Sequence, residues 1–413
     1  MPWAAFSQAA GGRARPVALL GLSQTLSWGS SFYLPAVLAH PMAADLGLAP
    51  PTVYLAFSGA LVVSAAVGPA AGRAIDHFGG RPVLMACNGI FALGPVLLAL
   101  AQGPLGLFAA WALLGLAMGA GLYEAAFATL VKLYGQAARN PITGITLIAG
   151  FASTVGWPLS AFIAEHYGWR ASCFTWAAIH LAIALPVNLL FIPGVRNTAP
   201  AIKAAPANGK GIASEGTGAR AVPANAQNER LAFWLVAVFA AATSFVTSAM
   251  AAHLPGLLLA AGASAVAALT ASALLGPAQV LARLSEFMAA RRFGFHPLTS
   301  ARVATALHPA GVVVLALFGG APVMVAAFAV LHGAGNGMIT IAKGTLPLAI
   351  FGPAGYGFRQ GLLNVLARGA QAFAPFAFGL TLDTRGVGAS IALSGGVSLV
   401  ALAALMLLRK GPR

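Results

Sequence analysis

Acidic residues are scarce in this chain: eight Asp and Glu stand among 413 residues, against 23 Lys and Arg. Cysteine is scarcer still. Cys87 and Cys173 both lie in apolar stretches, with no CxxC or Cys/His spacing, so neither a disulfide framework nor a metal site is expected, and both read as small core residues. No cofactor is expected either. The sequence lacks a GxxxxGKS or GxxxxGKT loop, a GxSxG elbow and an HExxH pair, which argues against ATP-driven work by this chain alone and against soluble-type hydrolysis. With no nucleophile and base at workable spacing, an enzyme is not expected. The basic residues are scattered singly, without interleaved aromatics, so a nucleic-acid partner is not expected.

What the chain has in quantity is apolar length. Hydrophobic residues make up 59% and charged residues 8%, with 49 glycines and a mean hydropathy of +0.85, a composition suited to lipid as solvent. Apolar stretches run near 17 to 39, 52 to 72, 82 to 101, 104 to 132, 141 to 164 and 171 to 193. Six more run near 231 to 260, 265 to 289, 298 to 318, 322 to 345, 358 to 381 and 387 to 408. Backbone groups in hydrocarbon must be satisfied within the segment, so stretches of this length are helices. The first is too long for a signal-peptide core and is expected to remain as a crossing. The fold class read here is an all-α polytopic membrane protein with twelve transmembrane helices.

Lys and Arg alternate between the gaps. Nineteen fall on one side: Arg13, Arg15, Arg73, Arg81, Lys132, Arg139, five in the middle gap, Arg291, Arg292, Arg302, Lys343, Arg359, Arg409, Lys410 and Arg413. Arg170 and Arg385 fall on the other, and Arg283 and Arg368 lie inside spans. Both termini are therefore expected in the cytoplasm. Residues 194–229, rich in Ala, Pro, Asn and Gly, have no periodicity and read as a flexible cytoplasmic linker. It separates a six-helix bundle at 1–193 from a second at 230–413. The halves echo one another: YLPAVLA from Tyr33 and HLPGLLLA from His253, GPAAGRAID from Gly68 and GPAQVLARLSE from Gly276, and Arg139 with Pro158 against Arg359 with Pro375. Such repeats commonly surround a solute site at the bilayer midplane.

The gap after the second span carries GRAIDHFGGR, Gly72 to Arg81. It resembles the signature between the second and third helices of the major facilitator superfamily. That resemblance implies two six-helix bundles and a conformational-switch motif: Gly72 and Gly79 for close approach and turning, Asp76 to cap a neighbouring helix N-terminus or pair with an Arg in one state only, Arg81 at the end of the motif, and Glu286 in the matching turn of the second half. Further on, GAGLYEAAFATLVKLYG from Gly119, then Arg139 and ITGITLIAGFASTVGWPLSAFIAEHYGWR to Arg170, are similar to monocarboxylate porters and related bacterial facilitators. A fifth-helix packing motif of Gly150, Gly156 and Pro158 is implied there. The acid that those porters place four residues before an Arg is Gln279 here, ahead of Arg283, so lactate-type proton symport does not carry over. The opening SSFYLPAVLA is similar to that of some bacterial arsenite exporters.

An ionisable residue inside a span is expensive unless paired or hydrated, and is a functional candidate by default. Glu124 lies about two turns into the fourth helix from its cytoplasmic end and Arg368 similarly deep in the eleventh, so the two can form a gate pair between the halves. Glu124 is the candidate for proton coupling. Arg283 suits a bidentate anion contact or a tether to a helix C-terminus. Asn364, Arg368 and Gln371 share a helical face. Gln24, Tyr123, and His332 with Asn336 complete the candidate substrate or gate residues.

The expected function is secondary active transport of a small solute by alternating access, proton-coupled and with export preferred. Import of a monocarboxylate or other organic anion, arsenite or metalloid efflux, and a non-transporting membrane sensor are the alternatives. The expected setting is a bacterial inner membrane, since the basic residues are 18 Arg and 5 Lys. The expected partners are a small molecule, protons and the lipid bilayer, and the protein is expected to be a monomer.

Overall fold

A computed structural model of the chain describes residues 14–194 and 224–408, with Ser153 and residues 224–227 described by backbone alone. Arg13, Arg196, Lys203, Lys210, Arg220, Arg409, Lys410 and Arg413, and nearly all of the expected linker, lie outside the described residues. Among the described residues, nine helical runs are long and apolar enough to cross a membrane. Two of these hold two crossings each. Pro104–Tyr167 turns at Gly135, and Tyr356–Leu407 turns at Gly386, whose φ is +78°. The first crossing is interrupted and so escapes a criterion of continuous length. Twelve crossings result: α1 (Ala14–Gly29 and Leu34–Asp45), α2 (Pro50–Phe78), α3 (Gly80–Ala99), α4 (Pro104–Gly121 and Tyr123–Tyr134), α5 (Arg139–Ala149 and Ala152–Tyr167) and α6 (Trp169–Phe191), followed by α7 (Ala224–Ala260), α8 (Ala265–Phe293), α9 (Pro297–Phe318), α10 (Pro322–Phe351), α11 (356–385) and α12 (387–407). The chain is an all-α, multi-pass membrane protein.

Proline opens and glycine closes many of these helices. Pro50, Pro104, Pro297 and Pro322 occupy first-turn positions, where a missing N–H costs nothing. Gly79 and Gly352, at φ +81° and +74°, end α2 and α10. Those glycine stops carry α2 and α10 about two turns past the ends expected for them. One expectation is thereby corrected: Lys343 is not a gap residue but lies inside α10, because the helix continues to Phe351.

The N-terminal half is interrupted at four places. α1 breaks over residues 30–33, α4 at Leu122, α5 at Gly150 and Phe151, and α6 takes a π-turn over His180–Ala184. Breaks free backbone groups that hydrocarbon cannot satisfy, and at three of the four a side chain reaches a carbonyl beside the break. Gln24 Nε2 donates to the Gly121 carbonyl at 2.7 Å, Trp157 Nε1 to the Tyr33 carbonyl at 3.2 Å, and Arg283 Nη1 to the Thr146 carbonyl at 3.1 Å. At the α6 turn, His180 joins Ser30 Oγ at 2.7 Å and Asn88 Oδ1 at 2.9 Å. Asn88 Nδ2 is committed to the Leu84 carbonyl, so Oδ1 accepts from His180 Nδ1, and Nε2 accepts from the Ser30 hydroxyl. At the end away from most of the basic residues, Asp45 pairs with Arg170 and accepts from Trp169 Nε1 at 3.2 Å, pinning the second segment of α1 to α6.

Trp111 of α4 is fully buried in the N-terminal core, its ring 5.3 Å from that of Phe57. Trp111→Ala is expected to cost about 3–5 kcal/mol, read as a lowered thermal midpoint in detergent. Trp111→Phe should recover much of that loss, because the indole N–H has no hydrogen-bond partner to lose.

The halves meet along α2 and α11, and through 123–134 of α4 and 139–149 of α5 against α8, α10 and α11. The other segments of α1, α4 and α5 (34–45, 104–121 and 152–167) contribute little to that contact. The molecule is thus closed between its halves at the end carrying most of the Lys and Arg, here the basic end.

Candidate functional site

Closure at the basic end rests on two latches. In the first, the Asp76 carboxylate at the end of α2 accepts from Gly357 N and Phe358 N, each at 2.9 Å. It thereby occupies the open N–H groups of the α11 N-terminus, where the helix dipole also favours negative charge. The two backbones meet through Gly68 and Gly72 of α2 and Gly357 and Gly361 of α11, and a Cβ at Gly72 would overlap the Gly357 carbonyl. Arg73 lies over the Phe358 ring at 4.7 Å, and Lys132 Nζ donates to the Asp76 carbonyl at 2.6 Å. Gly79 makes the turn into α3. Arg81 is not part of this latch: it lines a groove on the outer side of α3 and α6.

The second latch joins α5 to α8. Arg139 Nη2 lies 3.7 Å from Glu286 Oε1, so Glu286 reaches across the halves from within α8 rather than from a turn. Arg283, one turn away, donates Nη1 to the Thr146 carbonyl of α5, Nε to the Gly337 carbonyl of α10 at 3.2 Å, and Nη2 to Gln279 Oε1 at 3.4 Å. Gly150 makes room for it: a Cβ there would sit 2.5 Å from Nη1. Gly156 lets α5 touch Gly29 of α1, and Pro158 follows Trp157, which caps the α1 break.

Between the latches and the opposite end, Glu124 and Arg368 face each other across the halves, Oε2 to Nη2 at 3.5 Å. Glu124 sits in the first turn of 123–134, so the break at Leu122 turns a helix N-terminus toward it. Arg368 is 3% exposed. Its Nη1 donates to Gln371 Oε1 at 2.9 Å, and its guanidinium lies 5.7 Å from the Trp28 ring. Tyr123 stacks on Phe127 at 5.4 Å and lies 4.9 Å from Trp28, which also adjoins Phe32 and Tyr33. The spacing of Glu124 and Arg368 falls short of hydrogen-bond geometry. Glu124 Oε2, Arg368 Nε and Nη2, Asn364 Nδ2, Trp28 Nε1 and Gln24 Oε1 are all buried without a hydrogen-bond partner. Orphaned polar atoms are rare in folded proteins, and here Glu124, Arg368 and Trp28 gather at one place.

Sequence reasoning missed Lys343 here. Its ammonium donates to Ser244 Oγ of α7 at 2.8 Å, and the charges whose fields reach it are Glu124 and Arg368. It also missed Trp28 and the aromatic wall, whose only signal was the SWGSSFY stretch. His332 and Asn336 are not brought to this cluster. His332 Nδ1 meets His308 Nδ1 at 2.8 Å, and Asn336 Oδ1 accepts from Thr247 at 2.8 Å, beside a cavity of about 10 Å³ inside the C-terminal half. Cys87 and Cys173 are buried in the N-terminal core, so no thiol faces the cluster. Among the described residues, no group of three His, Cys, Asp or Glu is placed to hold a metal.

Two helical halves closed over a buried charged cluster form the framework of a membrane carrier. Residues 20–319 match the sequence profile of the Major Facilitator Superfamily, and the chain belongs to that family. It is a secondary transporter by family. Solved structures share the fold. The E. coli fucose:proton symporter FucP aligns over 95% of this chain and 98% of its own, at 15% identity and a TM-score of 0.66. The human organic anion transporter MFSD10 covers 95% and 99% at 17% identity and 0.66. The proton:xylose symporter XylE covers 94% of each chain at 15% identity and 0.66. No curated protein sequence matches the chain.

Proposed function

We propose that the protein carries a small polar solute across a bacterial inner membrane by alternating access, with Glu124 as the proton-coupling group. With the basic end in the cytoplasm, the structure corresponds to an outward-facing state. The observation that carries the reading is the Glu124 and Arg368 pair, held at 3.5 Å across the halves amid unpartnered buried polar atoms. An ion pair that short of hydrogen-bonding leaves both groups valence for a ligand or a proton. Protonating Glu124 removes the charge facing Arg368, frees the guanidinium for solute, and releases one tie between the halves. Binding energy that differs between the two states is what moves the equilibrium. Named solute:proton symporters share the fold, which supports the coupling only as an analogy.

A second reading within this one concerns solute charge. Arg283, Arg368 and Lys343 stand in the interior with two interior acids near them, Glu124 and Glu286, and Glu286 already faces Arg139. That excess of positive charge favours a small organic anion over a neutral solute. Metalloid efflux has no comparable support, since neither thiol reaches the cluster.

Proteoliposomes holding an internal pH dye test both readings. Small carboxylates, arsenite and lipophilic cations are added in turn, in the presence and absence of an imposed pH gradient. The expected result is a solute-specific proton flux with a carboxylate. Solute exchange with no proton movement would overturn the coupling, and proton flux with an uncharged or cationic solute would overturn the anion reading alone.

A further inference from the structure

On the outer side of the N-terminal half, α3 and α6 leave a groove of about 620 Å³ that contributes to none of the contacts between the halves. Arg81, Met85 and Gly89 recur along α3 at helical spacing, so the groove runs from its first turn for about 12 Å. Leu185 and Leu189 of α6 form the facing wall. Two features open it: Ala86 and Gly89 give α3 no bulk there, and the π-turn at His180–Ala184 immediately precedes the α6 wall. A Cβ built at Gly89 meets nothing within 4 Å. The lining is exposed or half-buried and almost wholly apolar, with its charge at one rim. Arg81 marks that rim at the basic end. Arg15 lies beyond the same end of α6, its guanidinium 4.5 Å from the Phe191 ring. Neither arginine has an ion-pair partner among the described residues.

We propose that this groove is a binding site for an anionic phospholipid, with its phosphate on Arg81 and flanked by Arg15, and an acyl chain lying along Met85, Ala86 and Gly89 against Leu185 and Leu189. The surface between two membrane-spanning helices faces acyl chains, and a guanidinium without a protein carboxylate at the headgroup end selects for negative charge. Because α3 starts immediately after the Gly79 turn that follows Asp76, the headgroup would also sit beside the first latch.

The test is native mass spectrometry of the purified protein after equilibration with mixed micelles of equal phosphatidylglycerol and phosphatidylethanolamine. Wild type is expected to retain phosphatidylglycerol in preference. Arg81→Gln should lower that preference about fivefold, the contribution of one Arg near an anionic surface, and Arg81→Lys should keep it. Gly89→Leu puts a side chain into the groove from a position where a Cβ meets nothing within 4 Å, and should reduce retention of both lipids. Arg291→Gln, which removes a basic-end charge on α8, should change nothing. Equal retention in wild type, Arg81→Gln and Gly89→Leu would overturn the proposal, as would a loss in Arg291→Gln as large as that in Arg81→Gln. Should Arg81→Gln fail to fold, Gly89→Leu alone decides, since its groove offers open space to the new side chain.

Discussion

Glu124→Gln is expected to abolish proton-driven accumulation of solute while solute exchange down its own gradient continues. Gln preserves the shape of the side chain and can still meet Arg368, but it can neither release a proton nor balance a guanidinium. The 3.5 Å pair would become a neutral contact in every state, and the proton would no longer be linked to the conformational equilibrium. Loss of even ~1.4 kcal/mol of coupling free energy lowers linkage about tenfold, so the proton flux accompanying solute should fall by at least that factor. Parallel measurement of counterflow and of dye-reported proton flux separates the two outcomes. Full uphill transport by the variant would remove Glu124 from the coupling step.

Asp76→Ala is expected to produce the largest shift in conformation. Its carboxylate makes two hydrogen bonds of 2.9 Å to the α11 N-terminus, and they exist only while α2 and α11 are together at the basic end. Charge-assisted bonds of this kind contribute about 1.5–3 kcal/mol each. Losing both biases the equilibrium by about 3 kcal/mol or more, roughly a hundredfold, toward the form open at the basic end. Gly72→Val should act in the same direction by a different cause, because its side chain would overlap the Gly357 carbonyl. Labelling of a cysteine introduced at Ile142, fully buried against Gly344 of the other half, reads the change, as both native thiols are buried. Unaltered labelling in both variants would show that this latch does not hold the closed end.

What the sequence discloses and what it conceals follow from the range of the interactions involved. Apolar length, proline starts and glycine stops are local, so the twelve crossings are legible, with ends placed to within about two turns. The charged interior is partly local too: Glu124 and Arg368 stand out because ionisable groups are rare in spans, and their matched depth permits a pair. Lys343 is misread when counted with the gap charges, because it lies within the apolar run, which GTLPLAIF continues to Gly352. Arg283 is conspicuous in sequence, yet its partners on α5 and α10 lie 137 and 54 residues away, so its part in a latch needs the fold. His332 was drawn toward the solute path by its spacing with Asn336, but its partner His308 sits on the neighbouring helix. The breaks in α4 and α5 are marked only by glycines, which are too common in this chain to single out Gly121 or Gly150.

The account centres on two halves that close alternately at opposite ends of the Glu124 and Arg368 cluster. Spin labels at Ala137 and Arg291 report the basic end, and labels at Tyr167 and Val266 report the other, each pair spanning α5 or its approach and α8. Pulsed electron resonance distances from both pairs, taken at neutral and acidic pH and in wild type and Asp76→Ala, are the decisive measurement. The prediction is anticorrelation: the basic-end distance lengthens as the opposite distance shortens, and Asp76→Ala displaces both. One unchanging distance at each end under all four conditions would contradict the account.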